Sequence, residues 1–138
     1  MDDPDRSKHE NPPPEYFDGF DDVPFHRYLG LRLVERRPDH ARLRLTITEQ
    51  TPSGIGGSVN GGVIATMIDM AVIPAVFTGI REGSQPAGTA DLQVTYLRQA
   101  RGAWLEAEAA VIKRGRQLCV VEVSVTCDTG VLYALRAI

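Results

Sequence analysis

One apolar stretch of the sequence decides the fold: Asn60-Gly61-Gly62-Val63-Ile64-Ala65-Thr66-Met67-Ile68-Asp69-Met70-Ala71-Val72-Ile73. It follows a loop over residues 49–58 that is rich in Gly, Ser and Pro, and Asn60 is a residue type that favours a helix N-cap. We predict a helix over residues 61–79 that is apolar nearly all round. Such a helix must be buried on most sides. Pro74 is expected to kink it or to end it early.

The segments on both sides of this helix alternate apolar and polar residues, which is the pattern of half-buried antiparallel strands. The apolar members are Leu31, Leu33, Leu43, Leu45 and Ile47 before the helix, and Leu92, Val94, Tyr96, Leu105, Ala107, Ala109, Val111, Cys119, Val121, Val123, Val125 and Cys127 after it. A short helix is predicted over residues 24–30 and a last strand over 131–138. The sequence therefore predicts an α+β fold, in which one curved antiparallel sheet of about six strands wraps around one central helix.

The length of 138 residues suits one domain, and the acidic residues concentrate at its start. Residues 1–22 carry eight acidic and two basic side chains, a charge of −6, so that residues 23–138 carry +3 of the total of −3. We predict a flexible, acidic, Pro-containing tail over residues 1–22 and a single domain over residues 23–138. The mildly basic body suits an anionic small molecule and is too weakly charged for nucleic-acid binding.

Several absences in the sequence narrow the class of protein further. No apolar leader precedes the domain, and the longest apolar run is too short to cross a bilayer comfortably. Cys119 and Cys127 fall in one predicted strand, which would separate them by roughly 27 Å, beyond disulfide reach. We therefore expect a cytoplasmic protein that does not bind membranes. The three histidines do not cluster with one another or with the cysteines, so no metal site is predicted.

The predicted start of the long helix has two interpretations. The first N–H groups of a helix lack intrahelical partners, and Gly61 and Gly62 carry no side chain that would block a ligand. These features favour a binding place for a carbonyl oxygen that becomes negative. The alternative is an Asn-Gly turn and cap without further function.

Asp69 also has two interpretations. A carboxylate buried without a partner costs several kcal/mol, so Asp69 must face a polar cavity, a subunit seam or a partner group. In a polar cavity it would serve as a general base. Otherwise it is a structural carboxylate that is hydrogen-bonded to a neighbouring loop.

The order and spacing of four motifs resemble those of the hotdog-fold thioesterases, specifically the phenylacetate-degradation (PaaI-like) type of acyl-CoA thioesterase. That family opens with Pro-Phe-x-x-x-Leu-Gly, starts its helix with His-Gly-Gly and an acid nine residues after the His, continues with Ser/Thr-x-Asp-Leu-x-Val-x-Tyr-Leu, and has a His/Lys-Arg-Gly-Arg turn. The corresponding segments are 24–30, 60–69, 89–97 and 113–116. The resemblance covers about residues 24–138 and implies the hotdog fold.

The resemblance also implies roles for individual residues. Asp69 corresponds to the catalytic carboxylate, acting as nucleophile or as base for water, Gly61 to the backbone N–H that binds the thioester oxygen, and Thr89 to a hydroxyl that places water. Asn60 stands where the family has its His. The implied substrate-binding residues are Val59, Gly62, Arg98, Lys113, Arg114 and Arg116, of which the four cations are candidates for the phosphates of CoA. The family self-associates as a dimer or tetramer, with each site at the subunit seam, and uses no cofactor because coenzyme A is part of the substrate.

Two departures from the family pattern keep three functions open. Asn60 replaces the His and cannot carry a proton, and Gly54 replaces an Asn six residues upstream. The sequence predicts a thioesterase that hydrolyses small or medium acyl- or aryl-CoA. The alternative is a non-catalytic acyl-CoA-binding sensor or partner-binding protein. A hydratase of enoyl thioesters is the third possibility, although its chemistry generally uses a His beside the acid.

Overall fold

The computed structural model describes residues 15–81, 83–84, 86–128, 130 and 136–137. Two short helices, α1 (Glu15–Asp18) and α2 (Pro24–Leu29), flank a 3-10 turn at Phe20–Asp22. Strands β1 (Leu31–Arg37) and β2 (His40–Thr46) follow, and a 3-10 turn at Ile55–Gly57 leads into the long helix α3 (Gly61–Phe77). The remaining strands are β3 (Leu92–Gln93), β4 (Trp104–Arg114), β5 (Cys119–Cys127) and β6 (Arg136–Ala137).

The six strands form one antiparallel sheet in the order β1-β2-β4-β5-β6-β3. Four of them are long, whereas β3 and β6 contain two residues each. One face of the long strands packs on α3, as the predicted sheet around a central helix requires. The α+β hotdog fold is therefore confirmed.

The core lies between α3 and the concave face of the sheet, and the strand register explains it. Residues of β2, β4 and β5 that alternate along each strand are paired across the sheet, for example Leu43 with Ala107 and Ala107 with Val125. All three are fully buried. The small side chain of alanine at the middle position leaves room for the helix to approach the sheet. The opposite face carries charged pairs such as Arg44 with Glu106, whose closest nitrogen and oxygen are 2.5 Å apart.

The predicted boundary between tail and domain at residue 22 is too late in the chain. Residues 15–22 are folded against the body, with Phe20 only 1% exposed in the core. The Nδ1 of His26 donates to the carbonyl oxygen of Phe20 at 2.7 Å, and Asp21 Oδ1 accepts the backbone N–H of Leu33 at 2.8 Å. Aromatic side chains thus anchor an acidic segment that charge alone marked as a tail. Residues 1–14 lie outside the described residues.

Two other elements differ from their predicted extent, and a third lies mostly outside the described residues. Helix α3 continues past Pro74 to Phe77, because the proline removes one hydrogen bond while the surrounding core still holds the last turn. Strand β3 stops at Gln93 although the alternation continues to Tyr96. The predicted strand over 131–138 is described only at residues 136–137.

None of the described helices combines the length and the apolar character needed to cross a bilayer.

Candidate active site

Helix α3 is buried on one half of its circumference and partly open on the other. Successive residues turn by about 100° around a helix axis, so the burial pattern can be converted into faces. The buried half consists of Val63, Ile64, Met67, Ile68, Ala71, Val72, Pro74 and Ala75. The open half consists of Gly61, Gly62, Ala65, Thr66, Asp69, Met70, Ile73, Val76 and Phe77. Asp69 lies near the middle of the open half, which is otherwise almost entirely apolar.

The expectation that α3 is buried on most sides is therefore wrong for a single chain. The sheet covers one half of the helix, and the open half is nearly as apolar as the buried half. Since both halves consist of Ala, Val, Ile and Met with few polar residues, the sequence pattern could not show which one faces the sheet. The carboxylate of Asp69 is half-buried on the open side, outside the dry interior of the monomer.

The carboxylate of Asp69 accepts a hydrogen bond from a hydroxyl group that is distant in the sequence. Thr89 lies in the extended segment that leads into β3, and its Oγ1 donates a hydrogen bond to Oδ1 of Asp69. Thr89 itself is exposed. A carboxylate with one oxygen held in this way keeps its other oxygen available for a water molecule or a substrate. The two residues that the sequence analysis named as carboxylate and hydroxyl are thus brought together.

The start of α3 is capped as the sequence predicts. Asn60 is the N-cap residue, and its Oδ1 accepts the N–H of Gly62 at 2.8 Å. Its backbone carbonyl accepts the N–H groups of Val63 at 3.0 Å and Ile64 at 3.3 Å. Within the described part of the chain, the N–H of Gly61 has no such acceptor. The N–H of Gly61 is therefore the group that can donate to a substrate oxygen, as predicted. The N–H of Gly62 is already bound to the side-chain oxygen of Asn60.

Tyr96 is a residue of this region to which the sequence analysis assigned no role. Its hydroxyl donates to the carbonyl oxygen of Gly61 at 2.6 Å. Its ring lies against Gly61, since a Cβ added there would be 3.4 Å from two ring carbons. The alternating pattern predicted that Tyr96 lies on a strand, but it could not show that Tyr96 contacts Gly61. The two residues are 35 positions apart in the sequence.

A pocket of about 420 Å³ opens beside the second half of α3. Its floor is apolar and includes Ile73, Val76 and Phe77, and its walls come from the loop around residues 84–90 and the turn around 114–119. Thr89 is part of the wall, and the same residue donates a hydrogen bond to Asp69, so the pocket lies next to the carboxylate. Three cations line it, Arg81, Arg114 and Arg116, and none of the lining residues that the structure describes is acidic. The pocket is therefore suited to a molecule with an apolar part and an anionic part.

The other predicted substrate-binding residues are not all in this pocket. Lys113 lines a shallower groove on the other side of the same turn, and Arg98 is exposed outside both. Val59 is only 7% exposed and belongs to the core, where its N–H donates to the carbonyl oxygen of Ala100, and its contact with substrate stays a prediction. Arg81 was missed, because a single arginine after a helix gives no local signal.

Arg114 lines the pocket but is already paired. Its Nη2 and Nε bind Oδ1 of Asp39 at 2.7 and 3.2 Å, and its Nη1 donates to the carbonyl oxygen of Val76 at 3.0 Å. A cation in contact with the last carbonyls of a helix also interacts favourably with the helix dipole. Arg114 thus joins the end of α3 to the turn between β1 and β2, and its role as a phosphate ligand stays a prediction.

Comparison with known proteins agrees with this fold. Residues 56–134 match the family model of the thioesterase superfamily. A provisionally assigned esterase of Halobacterium salinarum is 39% identical over 101 residues, covering 71% of this chain and 66% of that protein. The medium/long-chain acyl-CoA thioesterase YigI of Salmonella typhimurium is 31% identical over 117 residues, covering 73% of this chain and 74% of that protein. The chain spans just under two thirds of the length of the two archaeal relatives that it matches, 66% and 63%.

Solved structures show the same likeness. Zebra fish thioesterase superfamily member 2 superposes with a TM-score of 0.71 at 26% identity, over 89% of this chain and 93% of that one. The PaaI protein of the phenylacetic acid degradation operon of E. coli has a TM-score of 0.74 at 22% identity, over 87% of this chain and 85% of that one, a likeness of fold alone. The chain has the hotdog fold and belongs to the thioesterase superfamily.

Proposed function

We propose that this protein is an acyl-CoA thioesterase, which hydrolyses the thioester of a small or medium acyl- or aryl-CoA. The observation that carries the proposal is the position of Asp69, a half-buried carboxylate in the middle of an open apolar helix face, bonded to Thr89 at the mouth of a pocket. Membership of the thioesterase superfamily and the similarity to YigI support hydrolysis of a thioester.

Asp69 supplies the reacting group of the proposed reaction. As a general base, it removes a proton from water while the water oxygen attacks the thioester carbon. The carbonyl oxygen becomes negative, and the backbone N–H of Gly61 stabilises it. The C–S bond then breaks, the departing thiolate of CoA takes the proton from Asp69 and becomes the free thiol, and the carboxylic acid is released. In the alternative route Asp69 attacks the carbonyl carbon itself and water hydrolyses the resulting anhydride.

The dimensions of α3 argue that one site uses two copies of the chain. The helix rises about 1.5 Å per residue, so the backbones of Gly61 and Asp69 are about 12 Å apart along the axis. A thioester carbonyl needs its attacking group and its oxyanion donor each within about 3 Å. Asp69 and Gly61 of a single α3 cannot both reach one carbonyl group. We therefore propose that Asp69 and Thr89 act with Gly61 of a partner protomer.

The edge of the sheet supports such an assembly. Strand β3 is the edge strand next to β6, and the residues that follow it carry exposed apolar side chains, with Tyr96 49% and Leu97 51% exposed. An edge with unpaired backbone groups and apolar side chains is a template for pairing with another chain. A second copy would cover both this edge and the open half of α3.

The pocket supports a proposal for the position of the CoA part of the substrate. A thioester carbon at Asp69 would place one arm of the substrate past Thr89, along the apolar floor of the pocket. Arg81 and Arg116 line this pocket, and among the described residues neither of them forms an ion pair, in contrast to Arg114. We propose that these two arginines attract the phosphates of CoA, with Lys113 and Arg98 farther out on the surface.

The proposal is tested by a panel of acyl- and aryl-CoA substrates and the Asp69→Asn variant. Asn keeps the size of the side chain but can neither accept a proton nor attack, so kcat should fall by a factor of about 10² to 10⁴. Asp91→Asn is the matched control, because Asp91 lies two residues beyond Thr89 and is exposed. Among the described residues, the one hydrogen bond to its side chain comes from Gln93, at 3.4 Å. Hydrolysis that survives Asp69→Asn would falsify the assignment.

A non-catalytic acyl-CoA-binding protein is the second candidate, and the state of Asn60 favours it. Its Oδ1 is engaged by Gly62, and an amide cannot transfer a proton as the His of the family can. This candidate predicts that acyl-CoA binds in a calorimetric titration while no member of the panel is turned over. The two candidates differ in turnover alone, so the same panel separates them.

A further inference from the structure

We infer that Tyr96 is a positioning residue for the oxyanion donor: its hydroxyl and ring hold the first turn of α3 so that the N–H of Gly61 is directed at the substrate. The inference rests on the proposed function, since it concerns the same reaction. It concerns a side chain that touches no reacting atom and acts through Gly61.

The first step of the argument is the flexibility of the helix start. Gly61 and Gly62 are consecutive glycines, and glycine loses more backbone entropy on ordering than any other residue. The first turn of a helix also lacks half of its intrahelical hydrogen bonds. Two glycines at this place would therefore fray unless other groups held them. An oxyanion donor is effective only if it is ordered before the reaction begins.

The second step is that the peptide between Gly61 and Gly62 is held at both of its polar groups. Its N–H is bound by Oδ1 of Asn60 at 2.8 Å, and its C=O accepts the hydroxyl of Tyr96 at 2.6 Å. A carbonyl oxygen can accept a second donor, so this bond adds to the one that the helix itself makes from residue 65. The neighbouring N–H of Gly61 is left without an acceptor among the described residues.

The third step is that the ring of Tyr96 closes one side of the helix start. A Cβ on Gly61 would lie 3.4 Å from the Cε1 and Cζ atoms of the ring and 3.5 Å from its oxygen. The ring thus packs directly on the glycine and limits its movement. Tyr96 is 49% exposed, so it is not needed to fill the core, and a role in local positioning accounts for its contacts.

The first experiment compares the Tyr96→Phe variant with the wild type on the best acyl-CoA substrate. Phe keeps the packing of the ring and removes only the hydrogen bond to Gly61. We expect kcat to fall about tenfold, the effect of losing one hydrogen bond, while KM changes less than about twofold and the melting temperature stays nearly unchanged. Tyr28→Phe is the matched control, since Tyr28 is 75% exposed on α2 and should give wild-type kcat.

The second experiment tests the contact between Tyr96 and Gly61 without measuring activity. It records the NMR amide resonances of Gly61 and Gly62 in the ligand-free protein. Tyr96→Phe should shift both resonances and raise the hydrogen exchange of the Gly62 amide, and Tyr28→Phe should leave them in place. Unchanged resonances, or a kcat equal to that of the wild type, would overturn the inference. If the wild type turns over no substrate, the proposed function fails, and the resonances still decide whether Tyr96 orders the helix start.

Discussion

At the scale of residues, the hydroxyl of Thr89 fixes the orientation of the Asp69 carboxylate. Asp69 is polar in the middle of an apolar helix face, and one of its oxygens is taken by the hydroxyl of Thr89. A hydrogen bond to a charged group is stronger than one between neutral groups, so it holds the carboxylate in one rotamer. The free oxygen is then directed away from Thr89, toward the space where water or substrate would lie.

Replacing Thr89 by Val tests this orientation. Val has nearly the same shape but no hydroxyl, so we expect kcat to fall about tenfold while the protein remains folded, because the bond to a charged group is worth roughly 1.5–3 kcal/mol. Thr89→Ser keeps the hydroxyl and should retain most of the activity. Steady-state kinetics with thermal melting as the control decides this; equal activity of the Val and Ser variants would contradict the role of the hydroxyl.

At the scale of elements, the end of α3 is held by a polar clamp, which consists of Arg114, Asp39, Thr78 and the carbonyl of Val76. The N–H of Asp39 donates to Oγ1 of Thr78 at 2.8 Å, and Arg114 bridges Asp39 and Val76. Gly79 leaves space for the guanidinium, since a Cβ there would lie 2.9 Å from its Nη2. The clamp fixes the helix end that forms the floor of the pocket.

The Arg114→Gln variant should unfold more easily, by about 2 kcal/mol, because it loses the hydrogen bonds to Val76 and Asp39. Asp39→Asn should cost less, about 0.5 kcal/mol, since the carboxylate is exposed and surface ion pairs contribute little. The side chains are 21% and 55% exposed, respectively. Urea denaturation measures both variants, and equal losses would show that the ion pair, rather than the helix carbonyl, carries the clamp.

Tyr16 joins α1 to the same end of α3, with its ring centroid 4.7 Å from that of Phe77. Burial raises the pKa of Tyr16 above its ordinary value near 10. Below about pH 10 the hydroxyl is protonated in the folded and the unfolded chain alike. Above it the unfolded chain ionises while the folded chain keeps its proton, so stability falls as pH rises. Tyr16→Phe should lose stability less steeply between about pH 10 and 11 in chemical denaturation, whereas exposed Tyr28→Phe should match the wild type.

At the scale of the whole molecule, one chain alone does not form a complete site in the proposed mechanism. The open half of α3 and the exposed segment after β3 lie on the same side of the protomer. On that side, Gly61 and Asp69 of one helix are about 12 Å apart, at about 1.5 Å for each residue. A symmetric dimer would bring Gly61 of each copy to Asp69 of the other and create two equivalent sites.

Mixing two inactive variants tests this arrangement. Gly61→Pro removes the N–H, and it suits the helix start because proline is favoured at the first helical position and Asn60, with ψ of 132°, has the backbone conformation preferred before proline. Co-refolding this variant with Asp69→Asn should restore about a quarter of wild-type activity, since half of the dimers are mixed and each has one intact site. Gly61→Ala keeps the N–H and should be active alone. No recovery in the mixture would mean that the two residues act within one chain or not together.

Local patterns in the sequence determined the elements and the candidate residues. Alternation predicted the strands β1, β2, β4 and β5, and a long apolar run with Asn60 before it predicted α3 and its cap. The single Asp in that run marked the candidate for the reacting group. These features depend on neighbours within a few positions, so they can be read without the fold. Alternation did not mark the end of β3 at Gln93, because it shows which side chains share a face and not which backbone groups are paired.

The tertiary structure alone decided which residues meet. The contacts of Thr89 with Asp69, Tyr96 with Gly61 and Arg114 with Asp39 span 20, 35 and 75 positions. Contacts at such separations depend on the path of the whole chain, which no short pattern contains. For the same reason the sequence could not show that Val59 is in the core, that Arg114 is already paired, or which half of an apolar helix the sheet leaves open.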